Sequence, residues 1–468
     1  PQVVELLRRD YAEFSGRIYD RPGVEVHVDE ARGFITRSAR HYDLIQLALM
    51  DAFGASTAGL YALNESYLYT VEAFSTYLAH LKPGGYLSVS RWIKLPPRDT
   101  LKLLATAVEA LRKAGVQHPE QRLLLVRSWQ TSTLLIKKGA FTAAEIAAAR
   151  EFVNSLGFDL AWYPGMQPGE ANRFNQLRQP WFYQAATALL GSDAPAYMDD
   201  YKFDLRPATD DRPYFFHFFK WRILPEILSL QGRGGMPLLE QGYLVSVATL
   251  LQAALASLLL IVVPLLFLKR RARQSQPAVR RSSVLIYFFA IGLAFLFVEI
   301  AFMQKLTLLL HHPLYSVATV MTSFLIFAGI GSFVSQRAAK RGRAQRSMRL
   351  AVAGIAILSL SYLLLFNNLP NALLSLPLVA KMAIALLLIA PLALLMGMPF
   401  PLALYSLGKH AEQMIPWAWG INGCASVISA ILATLLAIHG GFSMVVALAA
   451  ALYLLAAYHF PRAAASGG

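Results

Sequence analysis

Four acids stand where a carboxylate could do chemistry. Two lie together in VDEAR (Asp29 and Glu30), one ends the run LIQLALMD (Asp51), and one, Glu299, interrupts the apolar run FVEIAF. A carboxylate just past a buried strand reaches the rim of a sheet, where the ligands of parallel α/β sheets bind. A carboxylate inside a membrane helix is costly to bury and usually faces the bundle interior or a water-filled cavity. Arg91-Trp92 follows YLSVS in the same manner as the first three acids. Any one of these alone reads as an ordinary turn former. Their recurrence at successive strand ends predicts one ligand crevice.

Metal chemistry has little to work with. The single cysteine, Cys424, sits in an apolar segment, and His311 and His312 are adjacent rather than one helical turn apart. No metal is expected, and Cys424 reads as a small packing residue.

The elements that must position the acids follow from the pattern. VEVHV (Val24 to Val28) alternates like a strand and DLIQLAL (Asp43 to Leu49) reads as a buried one. A helix over YTVEAFSTYLAHL comes next, then the turn KPGG, then the strand YLSVS. Another amphipathic helix covers 100–114, and RLLLVRS and TSTLLIKKG form two strands joined at Trp129-Gln130. The expected picture for 1–140 is a parallel α/β sheet closed by an antiparallel hairpin, with ligands beyond the carboxyl ends of the strands. Residues 141–240 are less regular. Within them Asp210-Asp211-Arg212-Pro213 reads as a turn with a local ion pair, and the aromatic run after it suits a membrane surface and a joint between two halves.

Charge divides the chain near Gln241. Residues 1–240 carry 27 Lys+Arg against 26 Asp+Glu, whereas 241–468 carry 16 against 2. The basic excess therefore belongs to the apolar half and does not indicate nucleic acid. About seven apolar segments follow, near 243–268, 284–303, 314–335, 350–366, 378–404, 417–438 and 442–458. Most approach or exceed the ~20 residues that span a bilayer, the fourth and last being shortest. Stretches 269–281 and 336–349 each hold six Lys+Arg, which marks them as cytoplasmic and places residues 1–240 outside. Glu299 has Gln304, Lys305, His311 and His312 just beyond it, and either forms a small polar site or pairs with Lys305. Lys381 is expected to snorkel, and Pro391, Gly397, Pro399 and Pro401 predict a broken helix.

The order of DYAEFSGRIYDRPGVEVHVDEARGFI, HYDLIQLALMDAF and LYTVEAFSTYLAHLKPGGYLSVSRW resembles the spermidine/spermine synthase family, with its class I S-adenosylmethionine-type Rossmann-like fold. FVEIAFMQKLTLLLHHPLYSVATV, GMPFPLALYSLGKH and PWAWGINGCASVISA are similar to the membrane part of bacterial multi-pass proteins that carry such a domain. The resemblance implies an α/β Rossmann-like domain, incomplete at its N-terminus, followed by an α-helical multi-pass domain in a bacterial inner membrane. The family's glycine loop and its ribose-binding acid would precede Pro1, so the chain reads as a truncated fragment and is expected to be inactive alone. The family's adenine-contacting acid falls at Glu30, with Asp29 beside it. Its catalytic Asp-x-x-Asp falls on Ala48 and Asp51, so one of two acids is replaced by a side chain that cannot deprotonate an amine.

The resemblance thus implies a membrane-bound aminopropyl transferase using decarboxylated S-adenosylmethionine and a polyamine, or a methyl transferase using S-adenosylmethionine itself. Methyl transfer to an already nucleophilic acceptor needs mainly alignment and tolerates the loss at Ala48. The alternative is a non-catalytic sensor or transporter that binds a polyamine or nucleoside. An adenosyl cofactor is made inside the cell, in conflict with the outside placement to which the basic loops point, and the sequence leaves the side of residues 1–240 open.

Overall fold

The computed structural model describes residues 2–49, 64–229, 241–264, 279–367, 373 and 376–461. Five strands form one mixed sheet: β1 (Tyr42–Leu47), β2 (Leu81–Trp92), β3 (Leu123–Arg127), β4 (Thr131–Lys137) and β5 (Asp159–Trp162), in the order β1-β2-β4-β3-β5. β1 and β2 are parallel, and β4 returns antiparallel to both β2 and β3. A parallel pair closed by an antiparallel hairpin is what the hydrophobic runs predict. β5, at the far edge, lies in the stretch that reads as irregular.

Helices of this half are α1 (Gln2–Arg8), α2 (Ala31–Arg37), α3 (Val71–Ala79), α4 (Asp99–Lys113), α5 (Ala143–Leu156), α6 (Trp181–Leu190), α7 (Ala194–Asp200) and α8 (Leu224–Ser229). Their ends follow local chemistry. Thr70 caps α3 through the Ala73 amide, Thr142 and Glu145 form a reciprocal capping box on α5, and Gly157 ends α5 in the left-handed conformation. α4 is buried over most of its length, which leaves Leu101, Leu104, Val108 and Leu111 in the core against Leu87, Val89, Leu134 and Ile136 of the sheet.

VEVHV is not a strand. It forms no regular element, with Val24 and Val28 exposed, and no strand among the described residues pairs with it. A ladder needs a partner to satisfy its amides and carbonyls, and periodicity of side chains cannot supply one.

The second half is helical: α9 (Gln241–Ser257, continued by a wider-wound turn over Leu258–Val262), α10 (Arg281–Leu310), α11 (Pro313–Lys340), α12 (Ala344–Asn367), α13 (Leu378–Met396), α14 (Pro399–His410) and α15 (Ile415–Tyr458). Among the described residues they supply six stretches long and apolar enough to cross a membrane, with α13 and α14 counted as one. The predicted break lies at Gly397-Met398, between them. α15 contains the last two expected segments, divided at Gly441, whose φ of 83° and ψ of 167° interrupt the helix. A glycine is required there for a second reason, since a β-carbon would lie 2.1 Å from Asp211 Oδ2. At 30 residues α10 is about 45 Å long, more than the hydrocarbon thickness, and packs along α15 as the centre of the bundle.

The two halves meet on one face of the bundle. Tyr67 Oη donates to the Gln304 carbonyl at 3.0 Å, and Lys305 Nζ lies 2.5 Å from Asp211 Oδ1. The Asp211 carboxylate also accepts from Ser443 N at 3.0 Å and Ser443 Oγ at 2.7 Å, and its carbonyl accepts from Phe442 N at 2.9 Å. An acid of the α/β half thus caps the first turn after Gly441, where free amides and the helix dipole favour negative charge. The Asp-Asp-Arg-Pro turn does form, through the Thr209–Arg212 bridge, but its acids pair at a distance rather than locally. Asp210 takes a bidentate pair of bonds from Arg32 (2.7 and 2.6 Å) and one from Thr70 Oγ1 (2.7 Å).

Candidate functional site

At the end of β2 the expected crevice is closed over. Arg91, at the end of β2, is 1% exposed; it bonds to Tyr69 Oη at 3.1 Å and lies under the rings of Tyr69, Phe215 and Phe216. Asp99, at the start of α4, is 3.6 Å away and equally buried. The expectation that Arg91 lines a ligand crevice is therefore corrected. The aromatic run after Pro213 folds back over this end of the sheet, and its rings take the space that a planar ligand would need. Composition alone showed an aromatic run suited to a membrane surface, and period gives no sign of which strand end it covers.

Asp29 and Glu30 lie elsewhere, on the seam between the halves. They line a cavity of about 600 Å³ with Val28 and Arg37 from the α/β half, Leu310, His311, His312, Pro313 and Tyr315 from the turn between α10 and α11, and Leu376, Leu378 and Lys381 at the start of α13. That volume is in the range of small-molecule sites. Neither acid is idle. Asp29 Oδ2 is ion-paired with Arg37, and Glu30 caps α2, its two oxygens accepting from Arg32 N at 3.1 Å and Gly33 N at 2.6 Å. A Glu30 carboxylate held by its own helix is poorly placed to read an adenine amino group. Asp51 lies outside the described residues.

The α10–α11 turn is specified by His311-His312-Pro313. His311 takes a positive φ of 57°, the His312 ring accepts from Leu314 N at 3.2 Å as an N-cap, and Pro313 occupies the first helical turn. The His311 ring packs on α2 so closely that a β-carbon at Gly33 would lie 2.7 Å from Nδ1. A reader of the sequence could have recognised cap-and-proline punctuation in HHP, and so a helical hairpin rather than a metal pair. Among the described residues no group of three or more His, Cys, Asp or Glu could hold a metal ion.

Glu299 is not part of this cavity. It is 8% exposed, inside α10, and has no hydrogen-bond or ion-pair partner among the described residues. Of the two alternatives, the pairing with Lys305 does not occur, because Lys305 is engaged by Asp211. Six residues apart on a helix, the two side chains point about 120° from a common face. Lys381 does not snorkel either: it is 3% exposed, beneath the α/β half, and likewise has no partner among the described residues.

A second polar cluster lies at the joint. Lys102 Nζ donates to the His217 carbonyl at 2.6 Å, and the His217 ring lies tilted 4.9 Å from Tyr243 and edge-on 5.8 Å from His439. Burial, reinforced by the Lys102 charge, pushes the His217 pKa from 6.5 to about 3. Burial would raise Asp204, but bonds from Arg206 and the Lys102 charge outweigh it and hold the carboxyl well below its usual range. Between pH 6.5 and 3 the unfolded chain binds a proton at His217 that the folded chain does not. Stability is thus complete above about pH 6.5 and falls by about 1.4 kcal/mol per unit below it. Thermal unfolding of the detergent-purified protein should therefore shift down by several degrees from pH 7 to pH 5. The shift should be smaller for His217→Asn; equal shifts in both would remove His217 as the cause.

No family model matches the chain, and no solved structure matches it.

Proposed function

We propose that the chain is a spermidine-synthase-like membrane protein that binds a small ligand without group transfer, as a sensor or transporter, with its α/β half outside the cytoplasm. The observation that carries this reading is the sidedness of charge. The C-terminal end of α10 and the Gly441 turn meet the α/β half, at Gln304, Lys305 and Ser443. The opposite face of the bundle gathers the start of α10 and the end of α15, where His459 meets Ser283, and the basic α11–α12 connection. Arg337, Lys340, Arg341, Arg343, Arg346 and Arg349 all belong to that connection or its flanks. A basic face is the cytoplasmic one in a multi-pass protein. An adenosyl donor made in the cytoplasm would not reach the other side, which agrees with Ala48 and with the rings packed on Arg91.

Single-cysteine labelling tests the reading. In a Cys424→Ala background, Ser192→Cys on the α/β half should react with an impermeant maleimide added to intact spheroplasts, and Gln345→Cys should react only after lysis. The reverse pattern would place the α/β half inside and sink the proposal.

A second reading, a membrane-bound transferase for a polyamine or other acceptor with an S-adenosylmethionine-type donor, is favoured by one observation. The parallel β1–β2 pair closed by the β3–β4 hairpin is the arrangement the family resemblance leads one to expect. Calorimetry with S-adenosylmethionine and its decarboxylated form separates the two: micromolar binding of either donor favours transfer, and binding of neither favours the ligand-binding reading.

A further inference from the structure

We propose that the cavity on the seam is a phosphate-binding site for an amphiphile, with Lys381 as its anchor, and that a membrane phospholipid is the natural source of the phosphate. The proposal deepens the ligand-binding reading by naming the ligand class. Lys381 is 97% buried by its 3% exposure, lines the cavity, and has no hydrogen-bond or ion-pair partner among the described residues. The one carboxylate that acts on it, Asp29, is already ion-paired with Arg37, whose own charge repels the ammonium, so no free counter-charge balances Lys381. Its position aggravates this. Lys381 belongs to the first turn of α13, a 19-residue helix, where free amides and the dipole repel a cation and attract an anion. An anion seated there satisfies the ammonium and the helix end together.

The acids of the cavity do not supply that anion. Asp29 is paired with Arg37 and Glu30 is committed to the cap of α2. A polycation such as a polyamine would meet Lys381 with no free carboxylate to offset the repulsion. Phosphate, with several acceptor oxygens, matches both the ammonium and the helix amides. Apart from His311 and His312 the rest of the wall is apolar or aromatic, including Leu310, Pro313, Tyr315 and Leu378, and the turn of α10 and α11 sets it at the membrane boundary. A head group that carries its own acyl chains fits such a wall better than free phosphate.

The test uses the full chain in detergent and in nanodiscs. Native mass spectrometry and thermal shift would be read with phosphatidylglycerol, phosphatidylcholine and inorganic phosphate, for the wild type, Lys381→Gln and Lys381→Arg. Phosphatidylglycerol should remain bound to the wild type and Lys381→Arg, and be weakened at least tenfold in Lys381→Gln. Stabilisation by inorganic phosphate alone, lost in Lys381→Gln, would keep the anion site and make its source a free phosphate. Equal retention of phosphatidylglycerol by wild type and Lys381→Gln would overturn the proposal, and so would no effect of either phosphate compound on a folded wild type. Folding of Lys381→Gln is checked by its melting temperature in neutral detergent, which should match or exceed that of the lipid-free wild type, since the variant removes an unpaired charge. The labelling of Ser192→Cys is independent of these results, so the α/β half can prove cytoplasmic while the anion site stands.

Discussion

Replacing Asp211 with Ala should destabilise the protein by about 3–5 kcal/mol. The carboxylate is the counter-charge of Lys305, whose side chain is 8% exposed, and it caps the helix turn that begins at Phe442. Removing it leaves a buried ammonium unpaired, and losing the cap adds about 1 kcal/mol. The expected readout is a marked fall in melting temperature, with faster tryptic cleavage between the two halves. Asp211→Asn should fall between the two, because its amide oxygen can still accept from Ser443. Adding Lys305→Met to Asp211→Ala should recover much of the loss, since the cost lies in the stranded charge. Failure of the double variant to recover would assign the effect to the cap and the Gly441 turn instead.

The second large effect is steric. Gly331 of α11 faces α13 so closely that a β-carbon there would lie 1.9 Å from the Leu394 carbonyl oxygen, and a β-carbon at Gly397 would lie 2.1 Å from the Ala328 carbonyl oxygen. Backbone meets backbone at both points, so no rotamer relieves the clash. Close approach through small residues is how membrane helices associate when surrounding lipid is as apolar as their side chains. Gly331→Leu should therefore separate α11 from α13 at a cost exceeding the ~1–3 kcal/mol of ordinary overpacking. It should be seen as loss of monodisperse protein on size exclusion. Gly329→Leu is the matched control, because nothing lies within 4 Å of its β-carbon. Similar behaviour of the two variants would show that the loss is generic to the helix.

What could be read from the sequence depended on whether the signal was local. β1, β2 and the β3–β4 hairpin announce themselves as apolar runs between turn residues, and the spans are long enough that hydropathy alone finds them. The break after α13 and the turn at His311-His312-Pro313 are written in proline and cap residues. VEVHV failed because alternation reports a face and not a partner. The site was less legible than the fold. Asp29 and Glu30 were singled out, and they do line a cavity, but one is paired with Arg37 and the other caps its own helix. Lys381, which has no such commitment, is about 350 residues away in sequence. Only the packing of α2 under the α10–α11 turn brings it near them. Arg91 was misread for the opposite reason: two of the three rings that cover it, Phe215 and Phe216, lie more than 120 residues downstream, and no short-range pattern links them to it.

The run from Phe203 to Ile223 bears on how the protein folds as a whole. Phe215 belongs to the core beneath the sheet, while Phe203, Tyr214, Phe218 and Phe219 belong to the core that continues into the helical bundle. Neighbours in sequence therefore serve different interiors, and neither interior is complete without the same short strip of chain. The two halves lack the independence of beads on a string. Melting of one strips rings from the other, so the two halves should denature together, and a change of partner for either half would have to carry this strip with it.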